Sequence, residues 1–155
     1  MAETFPRDYH NQGGGGVRCF ALRLKPGEEI VSSLRRFVES MKLKAAFVMT
    51  CVGSVKKASL RMAHATATQT NEVIHLNDCH EIVSLVGTLN DGGHLHVALS
   101  DCEGKVVGGH VLGDMIVFTT AELVIGECES LRFTREFDEQ TGFKELTITK
   151  DDDGS

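Results

Sequence analysis

The sequence predicts an α+β domain, a mainly antiparallel β-sheet with one principal amphipathic helix. Three observations carry that prediction. A single stretch, Glu28 to about Met41, repeats its apolar residues at helical spacing. Almost everything after it reads as strands rich in Val, Ile, Thr and Phe, separated by Gly, Asn and Asp turn signals. The connections between those strands are mostly too short for crossover helices, so neighbours should run antiparallel.

Taken in order, residues 1–16 end in Gly13-Gly14-Gly15-Gly16 without periodicity and are expected to form a flexible N-terminal tail. Val17 to Leu24 suits a strand, punctuated by Pro26-Gly27. In the helix, Ile30, Val31, Leu34, Phe37, Val38 and Met41 form one apolar stripe. Glu28 and Glu29 stand at its positive end, and Lys42 and Lys44 at its negative end, as the helix dipole favours. Ala45 to Val52 is an apolar run consistent with a buried strand and is expected to stop at Gly53-Ser54. Further strands are expected at 55–64, 73–76, 81–89, 94–99, 106–112, 115–125, 131–137 and 144–149. The ordered domain then covers residues 17–149, and 150–155 forms an acidic C-terminal tail.

At 155 residues and 41% hydrophobic content the chain can bury a core without disulfides or structural metals. No run of 18 apolar residues occurs, so no membrane partner is expected. The N-terminus lacks the pattern of an export signal. The five cysteines are odd in number and contain no Cys-x-x-Cys. Cys19 and Cys51 lie in apolar runs and read as core residues, whereas Cys102 lies in a turn, which suits a reducing compartment. An intracellular, cytoplasmic protein is expected, with the nucleus as the alternative.

Net charge is −6, which excludes a uniformly basic nucleic-acid binder. The distribution is uneven. Residues 17–62 hold ten bases against three acids, and residues 63–155 hold five against 17. Arg35, Arg36, Lys42, Lys44, Lys56, Lys57 and Arg61 could form an anion-facing patch, or solvated faces balanced by acids elsewhere in the fold.

Three of the seven histidines have informative spacing. His94 and His96 alternate along one strand and so project from one face, and Gly108-Gly109-His110 follows after one turn. A loop of about five residues across Asp101-Cys102-Glu103-Gly104 pairs Ser100 with Val106 and His96 with His110. A loop one residue shorter would turn His110 to the other face. The first register gathers three neutral imidazoles, a set suited to Zn²⁺ or another divalent transition metal, with a coordination position left over. The second leaves surface histidines on a hairpin. Glu81 opens an apolar strand and could orient a ligand, serve as general base, or mark a strand end. His75 and His80 have no spacing that prescribes a shared face, and His10 and His64 read as incidental. No P-loop, Rossmann fingerprint, Gly-x-Ser-x-Gly or His-Glu-x-x-His is present.

Several segments resemble the plant-and-prokaryote-conserved (PPC) domain family, formerly a domain of unknown function. They are Val17–Glu29, Ala45–Val55 with Ala58-Ser59-Leu60-Arg61, His80–Thr88, and above all His94-Leu95-His96 through Gly108-Gly109-His110-Val111-Leu112-Gly113. The resemblance covers about residues 17–149. It implies an α/β domain with a mainly antiparallel sheet, a homotrimer, and metal binding through His94, His96 and His110. In land plants the domain follows AT-hook motifs, whose Arg-Gly-Arg core enters A·T-rich minor grooves. This sequence has no Arg-Gly-Arg.

Three functions follow as expectations. The first is a stand-alone, homotrimeric metal-binding interaction module, to whose interface the apolar Met115–Phe118 strand could contribute as readily as to the core. The second is a DNA-binding or chromatin-associated protein using Arg35/Arg36 and Lys56/Lys57, a nucleic-acid partner that neither net charge nor an AT-hook supports. The third is a metal-dependent hydrolase or lyase with Glu81 as its catalytic base.

Overall fold

The computed structural model describes residues 15–63 and 72–151. Its elements are β1 (Val17–Leu24), α1 (Ile30–Ser40), β2 (Ala46–Arg61), β3 (Val73–Leu76), β4 (His80–Thr88), β5 (His94–Ser100), β6 (Val106–Cys128), β7 (Leu131–Asp138) and β8 (Phe143–Lys150). All pairings are antiparallel, and α1 is the one helix among the described residues. The predicted mixture of an antiparallel sheet and one short helix is therefore what the chain adopts.

The sheet closes on itself. β6 pairs with β1, β5 and β2, while β4 joins β5 to β2. Thus β2, β4, β5 and β6 form a circuit of ladders around a core that includes Val55, Leu60, Leu85, Leu99, Met115, Val117, Leu123 and Ile125. α1 lays Ile30, Leu34 and Val38 on this core, one face at spacing four.

Both ends of the helix are held by local chemistry. The Glu29 carboxylate caps the start by accepting from the Val31 and Ser32 N–H groups at 3.2 and 2.6 Å. It also accepts from Met115 N–H at 3.1 Å, which ties the cap to β6. At the other end Lys42 takes a left-handed conformation (φ 53°), Lys42 N–H reaches the Glu39 carbonyl at 3.1 Å, and Leu43 N–H reaches Val38 at 3.0 Å. That is a Schellman ending with lysine where glycine is usual.

The breaks expected at Gly53-Ser54 and Gly113-Asp114 do not occur, and β2 and β6 run on through them. The irregularity appears instead as register shifts in the β2–β6 ladder, which bend two long strands around the core. Cys51 is buried as expected, but Cys19 is exposed, because β1 is an edge strand paired only with β6. Met115 and Val117 are core residues, whereas Phe118 faces outward.

The expected N-terminal tail lies outside the described residues up to Gly14. Gly16 is placed against Glu129, whose N–H donates to the Gly16 carbonyl at 2.8 Å. Of the acidic tail, Asp151 is tied down by Lys44 and Arg132 at 2.7 and 3.0 Å, and residues 152–155 lie outside the description. No helix of the described residues is long and apolar enough to cross a membrane.

Candidate metal centre

The turn after β5 sets the site. The Asp101 carboxylate accepts from Glu103 and Lys105 N–H, both at 2.9 Å, and Asp101 N–H donates to the Lys105 carbonyl at 2.9 Å. This closes the five-residue loop 101–105, the longer of the two that the sequence allows. Ser100 stands opposite Val106 and His96 opposite His110.

Leu95, Val97 and Leu99 of β5 point into the core, so His94 and His96 point outward. On β6, Val111 is buried and His110 turns the other way. The three imidazoles meet on the outer face of the closed sheet, and one ring nitrogen from each lies within 4.8 Å of the others. His94 Nε2 and His96 Nε2 are 3.0 Å apart. Two protonated nitrogens cannot approach so closely, so at least one must present a lone pair.

Two glycines allow the strands to come this close. A Cβ on Gly87, where φ is +136°, would stand 1.9 Å from the His94 carbonyl oxygen. A Cβ on Gly109 would stand 2.7 Å from the Arg61 carbonyl oxygen. Side chains at either position would push β4 or β2 away from the strands that bear the histidines.

Two of the three imidazoles, His94 and His110, are biased toward the neutral form. Burial, then the Arg61 charge, then the other two histidines and Arg135 lower His110 to about 4. His94 is also lowered, chiefly by burial and next by Arg135, with Glu145 pulling weakly the other way. His110 Nδ1 is buried without a hydrogen-bond partner. A buried ring nitrogen without a partner, beside two converging imidazoles, fits a borderline divalent cation such as Zn²⁺.

The other candidates lie elsewhere. Glu81 pairs with Ser100 of β5 and Ser54 of β2, at the far end of β4. It is five residues from Val86, the partner of His96, or about 16 Å along the strand. It cannot act as base at the trio, because strand length separates them. His80 is buried, with Nδ1 2.8 Å from the Asp78 carbonyl. His75 Nδ1 is 2.9 Å from Ser59 Oγ, which donates to Asp114 at 2.8 Å. That proton assignment makes the cluster a cross-strand brace, since the serine proton is directed to the carboxylate and not to the imidazole. His10 and His64 fall outside the described residues.

The residues that do surround the trio are Arg61, Arg135 and Glu145. Arg61 lies opposite His110 in the β2–β6 ladder. The β7–β8 hairpin supplies the others, and Arg135 donates to Thr88 Oγ1 at 3.0 Å, beside His94. Arg61 stood out in sequence as part of a basic segment and of the family-like run Ala58-Ser59-Leu60-Arg61. Arg135 and Glu145 had no signal, because nothing local shows that the hairpin folds back over β4 and β5.

Comparison with known proteins agrees with this architecture. The model of the Plants and Prokaryotes Conserved (PCC) domain family matches residues 11–129. A hypothetical protein from Salmonella, solved as a crystal structure, is 39% identical with a TM-score of 0.82, covering 90% of this chain and 99% of that one. The Metal-containing Protein from Archaeoglobus fulgidus is 26% identical with a TM-score of 0.74, covering 88% and 96% of the two chains. Among curated relatives, Bifunctional protein GlmU of Synechococcus sp. (strain JA-3-3Ab) is 40% identical over 137 residues, which is 88% of this chain and 21% of that one. AT-hook motif nuclear-localized protein 8 of Arabidopsis thaliana is 27% identical over 118 residues, 73% of this chain and 30% of that one. This chain spans about a fifth of the length of the first relatives it matches.

Proposed function

The chain belongs to the Plants and Prokaryotes Conserved domain family, and from that premise we propose that it is a metal-binding interaction module that assembles as a homotrimer. His94, His96 and His110 would hold Zn²⁺ or another divalent transition metal, which supplies Lewis acidity and an organising charge when bound. One observation carries the reading, the convergence of a ring nitrogen from each histidine within 4.8 Å. The relative described as metal-containing supports it. Zinc analysis of untagged protein tests it. About one equivalent per chain is expected, lost in His96→Ala. A stoichiometry near zero, unchanged by that substitution, would remove the site.

Self-association is supported by what surrounds the trio. Val86, the neighbour of His96 across the β4–β5 ladder, and Leu112, two residues along β6 from His110, are both about half exposed, at 50% and 48%. Val83 and Val106, further along the same strands toward Ser100, are exposed as well. An outward apolar surface of this kind suits an interface between copies. Sedimentation equilibrium near three times 16.9 kDa is the expected result, and a monomer at micromolar concentration would refute it.

A second reading, direct DNA association in the nucleus, is favoured by the names of the plant relatives. The bases it would use are already partly committed, since Lys57 pairs with Asp114 at 3.5 Å and Arg36 donates to Ser33. Gel shifts across a salt series decide it, because phosphate-driven binding strengthens steeply as salt falls. No complex near 50 mM salt would end that reading.

A further inference from the structure

We infer that the histidine site is built to take a small oxyanion, the carboxylate or phosphate group of a small molecule, gripped by Arg61 and Arg135. The inference rests on the proposed metal reading for the identity of the neighbouring charge, but the grip itself is made of this chain's own residues.

A cavity of about 350 Å³ opens beside the trio, with Arg61, His94, His110, Arg135, Phe143 and Glu145 in its walls. That is the small end of the range for small-molecule sites and far too narrow for a nucleic-acid duplex. Its floor comes from β2, β5 and β6, and its wall from the β7–β8 hairpin.

Neither arginine has a carboxylate partner among the described residues. Arg61 lies over the Phe143 ring, 5.6 Å from guanidinium carbon to ring centroid, which fixes its plane without neutralising it. Arg135 donates to two neutral oxygens, Thr88 Oγ1 at 3.0 Å and the Lys144 carbonyl at 3.3 Å, and its Nε is buried with no partner. Asp91, also in the cavity wall, spends one carboxylate oxygen on the Arg135 backbone N–H. Lys144 adds a third positive charge, against Asp91 and Glu145. Leaving a guanidinium partly buried and unpaired is costly, and planar N–H forks match carboxylate and phosphate oxygens. A bound divalent metal would raise the positive balance further.

The test is an amide and arginine Nε–H chemical-shift titration of full-length protein with inorganic phosphate and, separately, acetate. Both zinc-loaded and metal-free protein are used, and zinc uptake is measured independently. Saturable shifts at Arg61 and Arg135 are expected with at least one probe, and the responding probe identifies the class. Arg61→Gln should weaken that binding about tenfold or more. Arg135→Lys, which keeps the charge but loses the fork, should weaken it several-fold. No saturable shift with either probe, or an affinity unchanged in both variants, overturns the inference. Arginine-dependent binding in a protein that takes up no zinc upholds the inference and refutes the metal reading. Zinc uptake without anion binding does the reverse.

Discussion

Arg61 and His110 stand opposite each other across the β2–β6 ladder, and His96 stands opposite His110 on the other side. One row across three strands thus reads guanidinium, imidazole, imidazole. After burial, the guanidinium charge is the next reason why His110 resists protonation.

The first prediction separates ligands from bystanders. His94→Ala and His110→Ala should each lower zinc affinity by ~100-fold or more, beyond the 10–100-fold typical of losing an outer partner. Glu81→Gln should leave it unchanged, since Glu81 sits at the other end of β4. Competition against a chromophoric chelator measures all three.

The second concerns pH in the metal-free protein. His110 titrates near 4 when folded, below the value of about 6.5 expected when unfolded. Between those values the unfolded chain binds a proton that the folded chain refuses. The contribution to stability is therefore complete above about 6.5 and is lost as pH falls toward 4. Urea unfolding at pH 7.5, 6 and 5 should show this decline, and His110→Gln should flatten it. An equal decline in the variant would place its cause elsewhere.

The third addresses the strand approach at Gly87. Alanine there must adopt φ near +136° and set a Cβ 1.9 Å from the His94 carbonyl oxygen. Destabilisation of about 2–4 kcal/mol is expected from strain and displaced pairing together. Metal affinity should fall in parallel, because β4 would lose its pairing with the strand that bears His94 and His96. Gly92→Ala is the control for steric crowding. It shares a positive φ of 88°, but no atom lies within 4 Å of its added Cβ, so it should cost only the backbone strain.

The fourth is a gain. Lys42 occupies the left-handed position that ends α1. Lys42→Gly should relieve that conformation and stabilise the fold by roughly 0.5–1 kcal/mol, offset in part by the freer unfolded chain. Thermal melts suffice to read it, and a loss of stability would contradict the Schellman assignment.

Helix α1 was legible in the sequence because an apolar stripe at helical spacing has few other uses, and Ile30, Leu34 and Val38 are buried as that stripe requires. The face shared by His94 and His96 was equally legible, since alternation along a strand is local. The position of His110 depended on loop length, and the Asp101 carboxylate settles that by closing the turn through two N–H groups. What could not be read was non-local. Gly113-Asp114 resembles a turn, yet tertiary pairing with β2 carries the strand through it. Glu81 looked poised for chemistry because nothing in the sequence measures its distance from the trio in the folded sheet. Arg135 became part of the site through a hairpin whose docking leaves no periodic trace.

The family match ends at residue 129, and the hairpin that carries Arg135, Phe143 and Glu145 begins after it. The three histidines and Arg61 lie within the matched stretch, whereas Arg135, the other half of the proposed anion grip, lies beyond it. Exchanging residues 131–150 for another hairpin would then rebuild one wall of the cavity while leaving Arg61 and the imidazoles beneath in place.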